Sequence, residues 1–157
     1  MTAISRYIRT LIFMPTLLFA VVVAAAGPAL AIAPVFSADG VAIRGYDPVA
    51  YFSEGKPVAG SAQHSVEFKG TKWLFASAEN RDLFVANPEK YAPQYGGYCA
   101  WAVANNYTAS IDPDAWTIKD GKLYLNFSKF VRARWAIDKS GNIAKGDANW
   151  PGLRDGG

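Results

Sequence analysis

HSVEFKGTKWLFASAENRDLF, residues 64–84, and WTIKDGKLYLNFSKFVRARW, residues 116–135, spell the same local structure twice. In the first, Val66 and Phe68 alternate with polar neighbours, Gly70 turns the chain, Trp73-Leu74-Phe75 returns, and Ser77 caps a helix carrying Leu83 and Phe84. In the second, Trp116-Thr117-Ile118 and Leu123-Tyr124-Leu125 flank an Asp120-Gly121 turn, the strongest short hairpin signal. Ser128 then caps a helix on which Phe127, Val131 and Trp135 fall at four-residue steps. Both the turn-to-cap and the cap-to-aromatic spacings agree, so the units repeat at an offset of 51 residues. A Gly turn, an aromatic strand and a Ser cap recur wherever a helix packs on a hairpin, so the echo requires no duplication. The pattern predicts an α+β fold: a small single domain of two β-hairpin-plus-helix (ββα) units, with antiparallel strands and helices packed on one face. Trp73 and Trp135 are expected at parallel sites where a helix meets a hairpin.

Outward from these units, Ala33 to Gly40 reads as an extended lead-in and Val41-Ala42-Ile43 as a short strand. Asp47-Pro48 gives a cap followed by proline, opening a short turn through Tyr51-Phe52, and Asn87-Pro88 repeats the signal. The first 31 residues read differently. Met1 to Thr10 holds Arg6 and Arg9 and no acid, Leu11 to Ala26 is uncharged and mostly apolar, and Gly27-Pro28 precedes Ala29-Leu30-Ala31. That is the layout of a secretory signal cleaved after Ala31. Its apolar run contains Pro15 and falls short of the roughly 20 residues that span a bilayer, so no stable membrane anchor is expected after cleavage. The expected product is residues 32–157, exported and periplasmic.

Losing Arg6 and Arg9 leaves 14 Lys and Arg against 13 Asp and Glu, so the formal charge falls from +3 to +1. No clustered basic footprint remains for nucleic acid. One Cys, Cys99, excludes an intrachain disulfide and any Cys-cluster metal site; one His, His64, excludes multi-histidine sites.

Between the two units lies PQYGGYCAWAVANNY, residues 93–107. Gly96-Gly97 permits backbone shapes closed to other residues, and Ala100 to Ala104 suits a helix, which would place Cys99 in a first helical turn. Free N–H groups there would depress the thiol pKa and raise its reactivity. The opposing reading is a buried cysteine serving as a small hydrophobe. His64 enters the first hairpin, where a lone His is commonly a hydrogen-bonded surface residue. Asp112 and Asp114 flank Pro113 and lack the pattern of a calcium loop, so turn roles explain them better.

Asp47-Pro48-Val49, HSVEFKGTKWLFAS at 64–77, Phe84 and NPEKY at 87–91 resemble the YHS domain, with its core at about 47–91. YHS domains are generally presumed to bind metal, often with Cys after Asp-Pro-Val and another in the strand before the helix. Those places here read Ala50-Tyr51-Phe52 and Ala76. The longer pattern, through YAPQYGGYCAWAVA, DPDAWTI and NWP at 149–151, is similar to the exported bacterial group of YHS domain-containing (seleno)proteins. Matching its selenocysteine position to Cys99 implies redox or nucleophilic chemistry there.

The resulting expectation is a thiol-redox protein with Cys99 as its catalytic residue, no required cofactor, and an external thiol or reductant as partner. With one Cys, the cycle would run through sulfenic acid, a mixed disulfide or a dimer. A second expectation is a soft-metal module holding copper or zinc at Cys99 and His64. A third is a noncatalytic interaction domain with Cys99 buried. Accessibility of the Cys99 sulfur and its relation to His64 separate the three.

Overall fold

A computed structural model describes residues 31–156. Of the leader expected over 1–31, all but Ala31 lies outside the described residues. The fold is α+β. Two short strands, β1 (Ser37–Ala38) and β2 (Val41–Ala42), lead through a 3-10 turn to helix α1 (Ala50–Ser53). Strands β3 (Ser61–Phe68) and β4 (Thr71–Phe75) precede helices α2 (Ala78–Ala86) and α3 (Pro88–Tyr91). Helix α4 (Ala100–Ala104), strands β5 (Asp112–Lys119) and β6 (Lys122–Asn126), and helices α5 (Lys129–Ile137) and α6 (Lys139–Asp155) complete the order.

The two ββα units are β3-β4-α2 and β5-β6-α5. Their turns share one backbone geometry: Lys69 and Gly70 have φ of 51° and 72°, Asp120 and Gly121 53° and 74°. Left-handed residues at both centres match the twist of a two-residue hairpin. The caps agree too. Ser77 Oγ accepts from the Asn80 N–H at 3.1 Å, and Ser128 Oγ from the Val131 N–H at 3.2 Å.

Packing repeats with one exchange. Trp73 on β4 lies on Phe84 of α2, with centroids 5.2 Å apart and planes tilted by 31°. Tyr124 on β6 lies on Trp135 of α5 at 5.3 Å and 36°. Trp73 and Tyr124 are 51 residues apart, as are Phe84 and Trp135. The parallel sites expected for Trp73 and Trp135 are therefore corrected: the large indole sits on the strand in one unit and on the helix in the other. Phe127 is also corrected. It is 53% exposed because α5 begins after the Ser128 cap, and a residue outside the helix does not share its face.

The antiparallel expectation holds within both hairpins, but the first sheet is mixed. Its order is β1-β2-β4-β3, and β2 pairs in parallel with β4 at Val41 and Lys72. The lead-in closes the open edge of the hairpin, which local hairpin signals do not encode. Helix α6 is a second difference. Gly141, Gly146, Pro151 and Gly152 hide any helical period, yet Asp138 Oδ1 accepts the Gly141 N–H at 2.9 Å and starts the helix. One buried cluster joins Trp73, Phe75 and Phe84 of the first unit to Leu123 and Leu125 of the second, with Cys99 among them. A second cluster, with Tyr95, Tyr124 and Trp135, lies against Trp150 and Leu153 of α6.

Candidate functional site

Cys99 is delivered by a tight 3-10 segment, Gln94–Gly97, in which Tyr95, Gly96 and Gly97 all take positive φ. A Cβ at Gly97 would meet Ile43 Cγ2 at 2.6 Å, so space as well as conformation requires glycine there. Cys99 then caps α4, as the helical reading of this stretch implied. Its N–H donates to Ala109 O at 3.1 Å, and its carbonyl accepts the Val103 N–H at 3.0 Å.

The side chain does not reach solvent: Cys99 is 1% exposed. Its sulfur accepts the Phe127 N–H at 3.2 Å and lies 3.8 Å from Asn126 Oδ1, to which the thiol donates. Burial pushes the thiol pKa up, and the N–H groups of Ala102, Phe127 and Trp101 offset that only in part. The expected depression of this pKa is thus corrected. Placement at a helix start was sound, but desolvation of the thiolate outweighs the stabilisation that backbone donors give it.

His64 lies elsewhere. It is half-buried on β3, the edge strand of the first sheet, within the irregularity between the Ser61–Phe75 and Ser65–Leu74 pairs. The sulfur's hydrogen-bond partners are on the corner after β6, and His64 is not one of them. Among the described residues, no three His, Cys, Asp or Glu gather closely enough to hold a metal ion.

Two residues that sequence reasoning passed over complete the picture. Asn126 is wholly buried; its Oδ1 accepts the Trp101 N–H at 3.1 Å, while its Nδ2 has no partner among the described residues. The signal was an amide directly after the apolar run Leu123-Tyr124-Leu125. Asp47, also wholly buried, was read only as a cap. Its Oδ1 does accept the N–H groups of Val49 and Ala50, at 2.8 and 3.3 Å. Its Oδ2 additionally accepts the Ala76 N–H at 2.8 Å and Asn80 Nδ2 at 2.7 Å.

Asp47 therefore ties the start of α1 to the corner between β4 and α2. Cys99 and Asn126 tie the start of α4 to the corner between β6 and α5, where Phe127 stands 51 residues after Ala76. The thiol and amide do in the second unit what one carboxylate does in the first.

Residues 49–95 match the YHS domain. No curated protein and no solved structure matches the chain. The YHS stretch contains the first ββα unit and His64, and ends before Cys99. At the places where YHS thiols were expected, Ala50 and Tyr51 are packed in the core, and the Tyr51 hydroxyl donates to Pro113 O at 3.0 Å.

Proposed function

We propose that this YHS-domain protein is an exported, noncatalytic binding module in which Cys99 is structural. The observation that carries the reading is the closed environment of the sulfur, 1% exposed and bonded to the Phe127 N–H. The nucleophile in thiol chemistry is the thiolate, and a reagent must reach it. Burial opposes both requirements. Export rests on the charged, apolar and small-residue order of residues 1–31, and the protein purified from cells should begin at Ile32 by N-terminal sequencing. Retention of Met1 in a membrane fraction would contradict export.

One observation favours a thiol-redox reading: the sulfur accepts the Phe127 N–H at 3.2 Å, a contact that stabilises a thiolate. In that reading a peroxide oxidises the thiolate to sulfenic acid with release of hydroxide. An external thiol then condenses with it to a mixed disulfide and water, and a second thiol restores Cys99. A copper or zinc site at Cys99 needs ligands brought by a partner, because His64 stands on the other sheet's edge. Brief peroxide treatment in the presence of a sulfenic-acid trap separates the readings. The binding-module account expects no adduct on the folded protein and a full adduct after unfolding; prompt trapping on the folded protein would establish redox chemistry instead.

A further inference from the structure

A cleft of about 410 Å³ opens between the β3–β4 turn, the Gln94–Gly97 segment and α6, away from Cys99. Its volume falls within the range of small-molecule sites. Phe68 and Trp150 line it from opposite sides; Trp73 and Tyr95 also border it but are buried, 1% and 5% exposed. Tyr95 and Trp150 lie 6.1 Å apart between centroids.

The charges around the cleft are not equally free. Lys69 Nζ is 2.9 Å from Glu89 Oε1, so these two neutralise each other. Arg154 forks onto its neighbour Asp155, at 2.6 and 2.8 Å. Asp147 has no cation among the described salt bridges; one oxygen accepts the Tyr95 hydroxyl at 2.9 Å. That hydroxyl is held protonated, its pKa pushed up by burial and by the adjacent carboxylate, so it remains a donor throughout the working range. Asp147 is thus anchored by a neutral partner and is exposed on the side of the cleft that Trp150 lines.

We propose that this cleft binds a small organic cation, with its ammonium group against the Asp147 carboxylate and its carbon substituents on Trp150. A carboxylate supplies charge, and aromatic faces favour a soft, weakly hydrated ammonium over an alkali ion. The inference rests on the binding-module reading and gives that reading its ligand class.

The test is calorimetric titration of the whole protein with choline chloride, with sodium chloride and sodium butyrate as controls. Saturable binding of choline is expected, with none of sodium or butyrate, and Asp147→Asn should weaken choline at least about tenfold while melting as the parent does. If that variant does not fold, the indole N–H resonance of Trp150 in the parent protein supplies the readout, since it should move with choline and reach saturation. No saturable binding, or preference for butyrate, overturns the proposal. Neither outcome alters the sulfenic-acid result at Cys99, so failure here and failure of the binding-module reading are distinguishable.

Discussion

Truncating Asp47 to alanine would remove the acceptor of four donors at once: the N–H groups of Val49 and Ala50, which are buried, and the Ala76 N–H and Asn80 amide, which water can reach. An unsatisfied buried donor costs about 1–3 kcal/mol. Asp47→Ala should therefore lose at least about 2 kcal/mol in urea unfolding; a loss below about 1 kcal/mol would show that water replaces the carboxylate and that the latch is not essential. Cys99 makes the matching latch with weaker bonds, and its consequence is a pH dependence. Burial raises the folded thiol pKa. A group with a raised folded pKa gives stability that is whole below the unfolded value and is lost as pH rises toward the folded one. The unfolded thiol ionises near about 8.5, so stability should start to fall there, by at most about 1.4 kcal/mol per pH unit. Tyr51 and Tyr95, also raised by burial, add a loss of the same sign only above about pH 10. Denaturant melts of Cys99→Ala should lack the component between about pH 8.5 and 10; an unchanged slope would assign that loss to another group.

At the scale of elements, hairpins and caps were legible because their causes are local. Asp120-Gly121 supplies both left-handed residues, and Ser77 and Ser128 lie three residues from the N–H groups they accept. Helix α6 was not legible because its main support comes from another segment. A Cβ on Gly146 would meet the Tyr95 hydroxyl oxygen at 2.6 Å and its Cζ at 2.7 Å. Alanine favours a helix over glycine by about 1 kcal/mol, so an isolated helix would gain from Gly146→Ala. In the folded protein the contact should reverse the sign, for a net loss of about 1–3 kcal/mol. Thermal melting decides it, and a stabilised variant would mean that α6 does not press on Tyr95. The stacked pairs make a second prediction: Trp73→Ala and Trp135→Ala should each cost about 3–5 kcal/mol, as buried aromatics do. Near-parental melting of both would contradict two equivalent hairpin-helix interfaces.

For the molecule as a whole, the sequence permitted a reactive and a buried Cys99 because the deciding groups are remote. Ala109 receives its N–H, and the β6 corner supplies Asn126 and Phe127 from 27 and 28 residues away. Glycines and a helix former around the cysteine specify its backbone; they do not specify what covers its sulfur. The same cluster that buries it contains Trp73, Phe75, Leu123 and Leu125, so exposure of the thiol should require the two units to part. Labelling of Cys99 by a thiol reagent across a urea series measures that directly. The account predicts that the free energy of exposing the thiol equals the global unfolding free energy and falls with the same urea dependence. Rapid labelling in the absence of urea, or an exposure energy several kcal/mol smaller with little urea dependence, would contradict a structural Cys99.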